Sequence, residues 1–174
     1  MKRQFFDGGA GMKHTISVLV ENHAGVLARV AGLFARRGFN IDSLAVGVTD
    51  DERVSRITIV ADGSAYTLEQ IEKQLNKLID VIKVKTLHND TAVTRELVLI
   101  KVSCTAKQRP ELISIAEIAK GKISDISTNS MTIELSDTKQ NLDTYEELLR
   151  PYGIKEVVRT GAIAIQKGEA SVRV

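Results

Sequence analysis

Residues 20–47 read VENHAGVLARVAGLFARRGFNIDSLAVG, and the plan of the first half of the chain follows from this stretch. It divides into a turn, a helix and the start of a strand. Residues 21–25 are the turn. Val26, Leu27, Val30, Leu33 and Phe34 recur at helical spacing, which predicts one buried face. Arg36 and Arg37 fall in the last helical turn, where cations complement the helix dipole. Gly38 follows as the C′ residue, free to take the left-handed conformation that ends a helix. Ile41 then opens an extended run.

The residue types of the turn suit a zwitterion such as an amino acid. Gly25 omits a side chain where backbone must approach something closely, or where φ must be positive. Free N–H groups at a helix start can hold a carboxylate. Asn22 carries both donor and acceptor, so it can serve an ammonium and a carboxylate together. On spacing alone, an ordinary strand-to-helix turn remains the better reading. The wider wording shifts that balance. The segment, followed by Thr49-Asp50-Asp51 and by SRITIV at 55–60, resembles the ligand loop of ACT domains, the small-molecule sensors of amino-acid metabolism. It is similar above all to the small regulatory subunit of acetohydroxyacid (acetolactate) synthase. The likeness is dense over residues 12–87. It continues more weakly to 168, through RELVLIKV at 95–102 and GKISDIS at 121–127.

Outward from this stretch, Ile16, Val18 and Val20 alternate with Thr15, Ser17 and Leu19 in a first strand. Residues 41–48 and 54–61 form a hairpin around the polar Asp50-Asp51-Glu52. Thr67 and Gln70 have the spacing of a capping box. Leu68, Ile71, Leu75 and Leu78 then give a second helix its apolar face, and residues 81–87 read as a fourth strand. The order is βαββαβ, a ferredoxin-like plan with both helices on one face of the sheet. The other face and the two edges need cover, which a small chain commonly finds in a copy of itself.

The same plan recurs after residues 88–95. A strand at 96–105 is followed by a helix that Pro110 opens and Gly121 ends, with Leu112, Ile115, Ala116 and Ala119 inward. Two short strands at 122–128 and 131–136 lead to a helix carrying Leu142, Tyr145, Leu148 and Leu149. One last strand is predicted over 154–165, with a fraying polar tail from Gly168. The fold class is therefore α+β, two ferredoxin-like βαββαβ domains. Residues 12–88 form the ACT domain, 89–95 a linker, and 96–174 the C-terminal domain. Residues 1–11 (MKRQFFDGGAG) read as a tag or a disordered extension.

Composition narrows the classes. Twenty-four Lys and Arg nearly balance 22 Asp and Glu, and Trp is absent, so nothing favours a nucleic-acid partner. The single Cys104 excludes an intrachain disulfide, fits a reducing compartment and reads as a buried inert thiol. No apolar run reaches the roughly 18–20 residues of a membrane span. His14, His23 and His88 lack metal-ligand spacing, and no phosphate-binding glycine loop is present.

The resemblance makes the role concrete. Small subunits of this family bind a large catalytic subunit, dependent on thiamine diphosphate, that makes 2-acetolactate or 2-aceto-2-hydroxybutyrate from pyruvate. They are not enzymes themselves. They raise the large subunit's activity and confer feedback inhibition, most often by valine held between the ACT domains of a homodimer. No cofactor is then expected here; thiamine diphosphate, magnesium and FAD belong on the catalytic partner. Asn22, Gly25 and Asn40 match the family's effector positions, and His23, Ala24, Val26 and Ile41 flank them. The implied location is cytoplasmic. A stand-alone tandem ACT-like sensor acting on another target is the other reading.

Overall fold

The first core is built by alternation on the strands and by the apolar faces of two helices. The computed structural model describes residues 12–173, so the reading of residues 1–11 lies outside it. The described residues divide into two units, 12–92 with 164–173, and 93–163. The first holds β1 (Met12–Glu21), α1 (Val26–Arg37), β2 (Ile41–Val48), β3 (Val54–Gly63), α2 (Ala65–Leu75) and β4 (Val81–Leu87). Its antiparallel sheet runs β2-β3-β1-β4, the ferredoxin-like order. Ile16 and Val18 lie opposite Ile59 and Ile57. Against them pack Val26, Val30, Leu33 and Phe34 of α1, and Ile71 and Leu75 of α2. Leu27, expected on this face, is 43% exposed. Each large buried side chain contributes about 1.5–3 kcal/mol.

The end of α1 is a Schellman motif. Gly38 takes φ 68°, its N–H donates to the Ala35 carbonyl, and the Phe39 N–H donates to Phe34. The Phe34 and Phe39 rings meet edge to face, with centroids 6.2 Å apart. The start of α2 differs from expectation. Ser64, not Thr67, is the N-cap, and its hydroxyl accepts from the Thr67 N–H at 3.2 Å. Ser64 stands three residues before Thr67 and can cap equally well, so the helix gains almost a turn.

The outer face of this sheet is partly covered by the chain itself. Thr15, Ser17 and Leu19 are as buried as the residues alternating with them. Leu19, Val54, Leu87 and Ala92 cluster with Ala164 and Val172 from the end of the chain. Arg56 Nη2 donates to the Val172 carbonyl at 2.6 Å, and Lys83 Nζ to that of Arg173 at 2.7 Å. The expected frayed tail is thus tied to the first unit, and residues 164–173 group there rather than with the second domain.

The second unit holds most of β5 (Ala92–Ser103), then α3 (Arg109–Ile118), β6 (Lys122–Ile126), β7 (Ser130–Asp137), α4 (Lys139–Leu149) and β8 (Ile154–Arg159). The strand order β6-β7-β5-β8 repeats that of the first sheet. β5 begins inside the expected linker. The single last strand is two, β8 and β9 (Ile163–Gln166), because Gly161 turns the backbone at φ 81°. Leu148, expected to face the core, is exposed. Cys104 is buried in this core, as its residue type implies. Among the described residues no helix is long and apolar enough to cross a membrane.

Candidate effector-binding turn

The turn between β1 and α1 is shaped by Gly25, which holds φ 90° at the N-cap position. A Cβ there would meet nothing within 4 Å, so the glycine serves the backbone angle and not a close approach within this chain. The first helical bond runs from the Arg29 N–H to the Gly25 carbonyl at 3.0 Å, and no side chain caps the helix. The first-turn N–H groups therefore point out of the helix start with a positive dipole end behind them.

Asn22 is fixed by the β2–β3 hairpin. Its N–H donates to the Arg53 carbonyl, and its Nδ2 to the Glu52 carbonyl at 2.7 Å. Its Oδ1 accepts from the Ser55 hydroxyl at 3.0 Å. An amide can make four hydrogen bonds, so one donor and one acceptor site remain to an exposed residue. Asn40 is exposed too, and its Nδ2 donates to Asp42 Oδ1 at 2.8 Å. Val26 lies in the core, Ile41 packs against it, and Ala24 is exposed.

The sheet separates the two asparagines. Asn22 bonds Ser55, which pairs with Val48 at one end of β2, whereas Asn40 precedes Ile41 at the other. Seven residues of strand put them roughly 20 Å apart in one chain. The predicted site residues thus fall into two groups, 22–26 and 40–41.

His23 is exposed, and both of its ring nitrogens have close partners. Its Nδ1 lies 3.1 Å from the Ala24 carbonyl, and its Nε2 lies 3.3 Å from Glu21 and 3.2 Å from Asp80. The Ala24 hydrogen bond raises its pKa, and Asp80 and Glu21 add to the rise. Asp80 also takes Arg29 Nη1 at 2.5 Å; this bond, against the effect of burial, lowers its pKa. Asp80 is not among the residues that the sequence singles out. Its one signal was a carboxylate set between Ile79 and Val81 at a strand start, and burial of that carboxylate is a tertiary property. Glu21, His23 and Asp80 bring potential metal-ligand atoms within 4.8 Å, which spacing did not reveal. The Arg29 guanidinium on the same carboxylate opposes a cation there. A cavity of about 430 Å³ lies elsewhere in the first unit, between Leu19, Val54, Arg56, Ile165 and Val172, and none of residues 22–26 lines it.

Two family models match, one over most of the first unit and one over the second unit and a few residues beyond it. The AHAS small subunit-like ACT domain matches residues 16–83, and the small subunit of acetolactate synthase matches residues 95–168. The acetolactate synthase small subunit of Mycolicibacterium smegmatis is 48% identical, over 91% of this chain and 94% of its own. That of Haemophilus influenzae is 45% identical, over 92% and 99%. The crystal structure of the Thermotoga maritima acetolactate synthase small subunit superposes with a TM-score of 0.86 at 38% identity, covering 91% of this chain and 99% of that one. Its sequence, strand order and two-unit plan together place this chain in the acetolactate synthase small-subunit family, with an ACT domain as its first unit.

Proposed function

We propose that this chain is the regulatory subunit of an acetolactate synthase, without catalysis or cofactor of its own. It activates a thiamine-diphosphate-dependent large subunit and confers feedback inhibition by a branched-chain amino acid, valine first. The effector sits at a seam between two copies. One observation carries this reading: the uncapped start of α1 at Gly25 follows Asn22, which is bound to the β2–β3 hairpin, and among the described residues β2 is an edge strand with Val46 and Val48 exposed. Antiparallel pairing of β2 with β2 of a second copy continues the sheet and runs the strands in opposite directions. Asn22 of one copy then approaches Asn40 of the partner subunit, so the two groups that one chain holds apart form one site.

The chemistry is sufficient for a metabolite sensor. Burial of a valine side chain supplies roughly 1.5–3 kcal/mol, and a carboxylate at a helix N-terminus about 0.3–2 kcal/mol. With a few charge-assisted hydrogen bonds the total reaches the roughly 4–8 kcal/mol of a millimolar-to-micromolar site. Titration calorimetry of the whole chain with valine, leucine, isoleucine and serine tests the proposal, followed by reconstitution with a catalytic subunit. Saturable valine binding, lost in Asn22→Ala, together with valine inhibition of the reconstituted synthase, is the expected result. Valine binding with no effect on any synthase would favour a stand-alone sensor, and inhibition of full potency in Asn22→Ala would sink the site.

A further inference from the structure

Asp80 lies between α2 and β4, and its side chain is 7% exposed. Three of its contacts reach the effector turn. Its Oδ2 accepts from Arg29 Nη1 at 2.5 Å, its Oδ1 lies 3.2 Å from His23 Nε2, and its backbone carbonyl accepts the Glu21 N–H at 2.9 Å. These contacts grip the last residue of β1, the middle of the turn and the first turn of α1. Between them lies Gly25, whose backbone is the most permissive of any residue. The bonds of Asn22 to the hairpin fix one side of the turn only. A buried carboxylate is costly unless paired, and here the pairing partners are both residues of the turn or its helix.

We propose that Asp80 is a positioning residue for the effector turn. It holds Glu21, His23 and Arg29 to one point, and so sets where the free N–H groups of α1 face. This rests on the reading of that turn as the effector site. The charged groups that meet there are Glu21 from β1, His23 from the turn, Arg29 from α1 and Asp80 itself. Because protonated His23 is bound by two carboxylates, the grip is tightest below the pKa of His23 and slackens as pH rises through it.

The test is Asp80→Asn in the full chain, with His23→Gln beside it. The latter changes an exposed side chain and keeps the protein folded if the former does not. Four quantities are read: valine affinity against pH, the His23 ring titration by NMR, amide exchange of residues 21–29, and the melting temperature. The expected result for Asp80→Asn is a His23 pKa lowered toward its ordinary value and faster exchange confined to 21–29. Valine binding weakens about tenfold, the scale of one charge-assisted hydrogen bond. His23→Gln flattens the pH dependence of affinity. Unchanged His23 titration and unchanged exchange in Asp80→Asn would overturn the proposal, as would full valine affinity in both variants. If the wild-type chain binds no amino acid, the effector reading fails, yet the ring titration and exchange still decide whether Asp80 holds the turn.

Discussion

Lys120 is the non-glycine residue with positive φ, 54°, among those described. It ends α3 as Gly38 ends α1. The Gly121 N–H donates to the Ala116 carbonyl, and the Lys120 N–H to Glu117. By sequence, Gly121 is the expected helix stop. That glycine answers a different need, since a Cβ on it would sit 2.3 Å from Leu135 and 2.7 Å from the Glu134 carbonyl. A side chain in the left-handed region costs about 1–2 kcal/mol, part of which glycine returns through the entropy of its unfolded state. Lys120→Gly is therefore expected to stabilise the second unit by about 0.5–1 kcal/mol in urea unfolding, whereas Gly121→Ala is expected to destabilise it. Asp80 adds an acid limb to stability. Its folded pKa lies below the ordinary value, so its contribution is present above the unfolded carboxylate pKa and is lost as pH falls through the folded one. Urea midpoints against pH should show that loss in wild type, and less of it in Asp80→Asn.

Elements with a full amphipathic period were legible from sequence. β2 and β4 have the predicted bounds, and the α1 face is as read except for Leu27. What failed were choices between equivalent local signals. Ser64 and Thr67 both qualify as caps, and only the hydrogen bond distinguishes them. Ser64→Ala is expected to cost about 0.5–2 kcal/mol, with Thr67→Ala costing less, as measured by thermal unfolding. Residues 154–165 read as one strand because β-branched residues stand on both sides of Gly161, although that glycine is itself a local mark of a break. In the candidate site, the residue types of 22–25 carried the chemistry. Sequence could not show that hairpin residues Glu52 and Ser55 would hold Asn22, nor that Asp80 would lie beneath the turn, because both depend on which strands become neighbours.

At the scale of the chain, the last residues act as part of the first unit. Val172 is buried against Leu19 and Leu87, and two cations take the carbonyls of residues 172 and 173. Deleting residues 168–174 is expected to cost about 2–4 kcal/mol in stability, from one buried valine and the lost hydrogen bonds. The loss should be read as faster amide exchange in β1, β3 and β4 with the core of 93–163 unaffected. The proposed effector site takes two chains. In the proposed dimer a twofold seam holds two sites, each with Asn22 of one copy and Asn40 of the partner subunit. The most direct measurement is valine binding stoichiometry for Asn22→Ala, for Asn40→Ala, and for their equal mixture after subunit exchange. Neither variant alone should bind. In the mixture half of the dimers are mixed and each regains one site of two, so about a quarter of the wild-type stoichiometry should return. A mixture that regains nothing would contradict a site shared between copies.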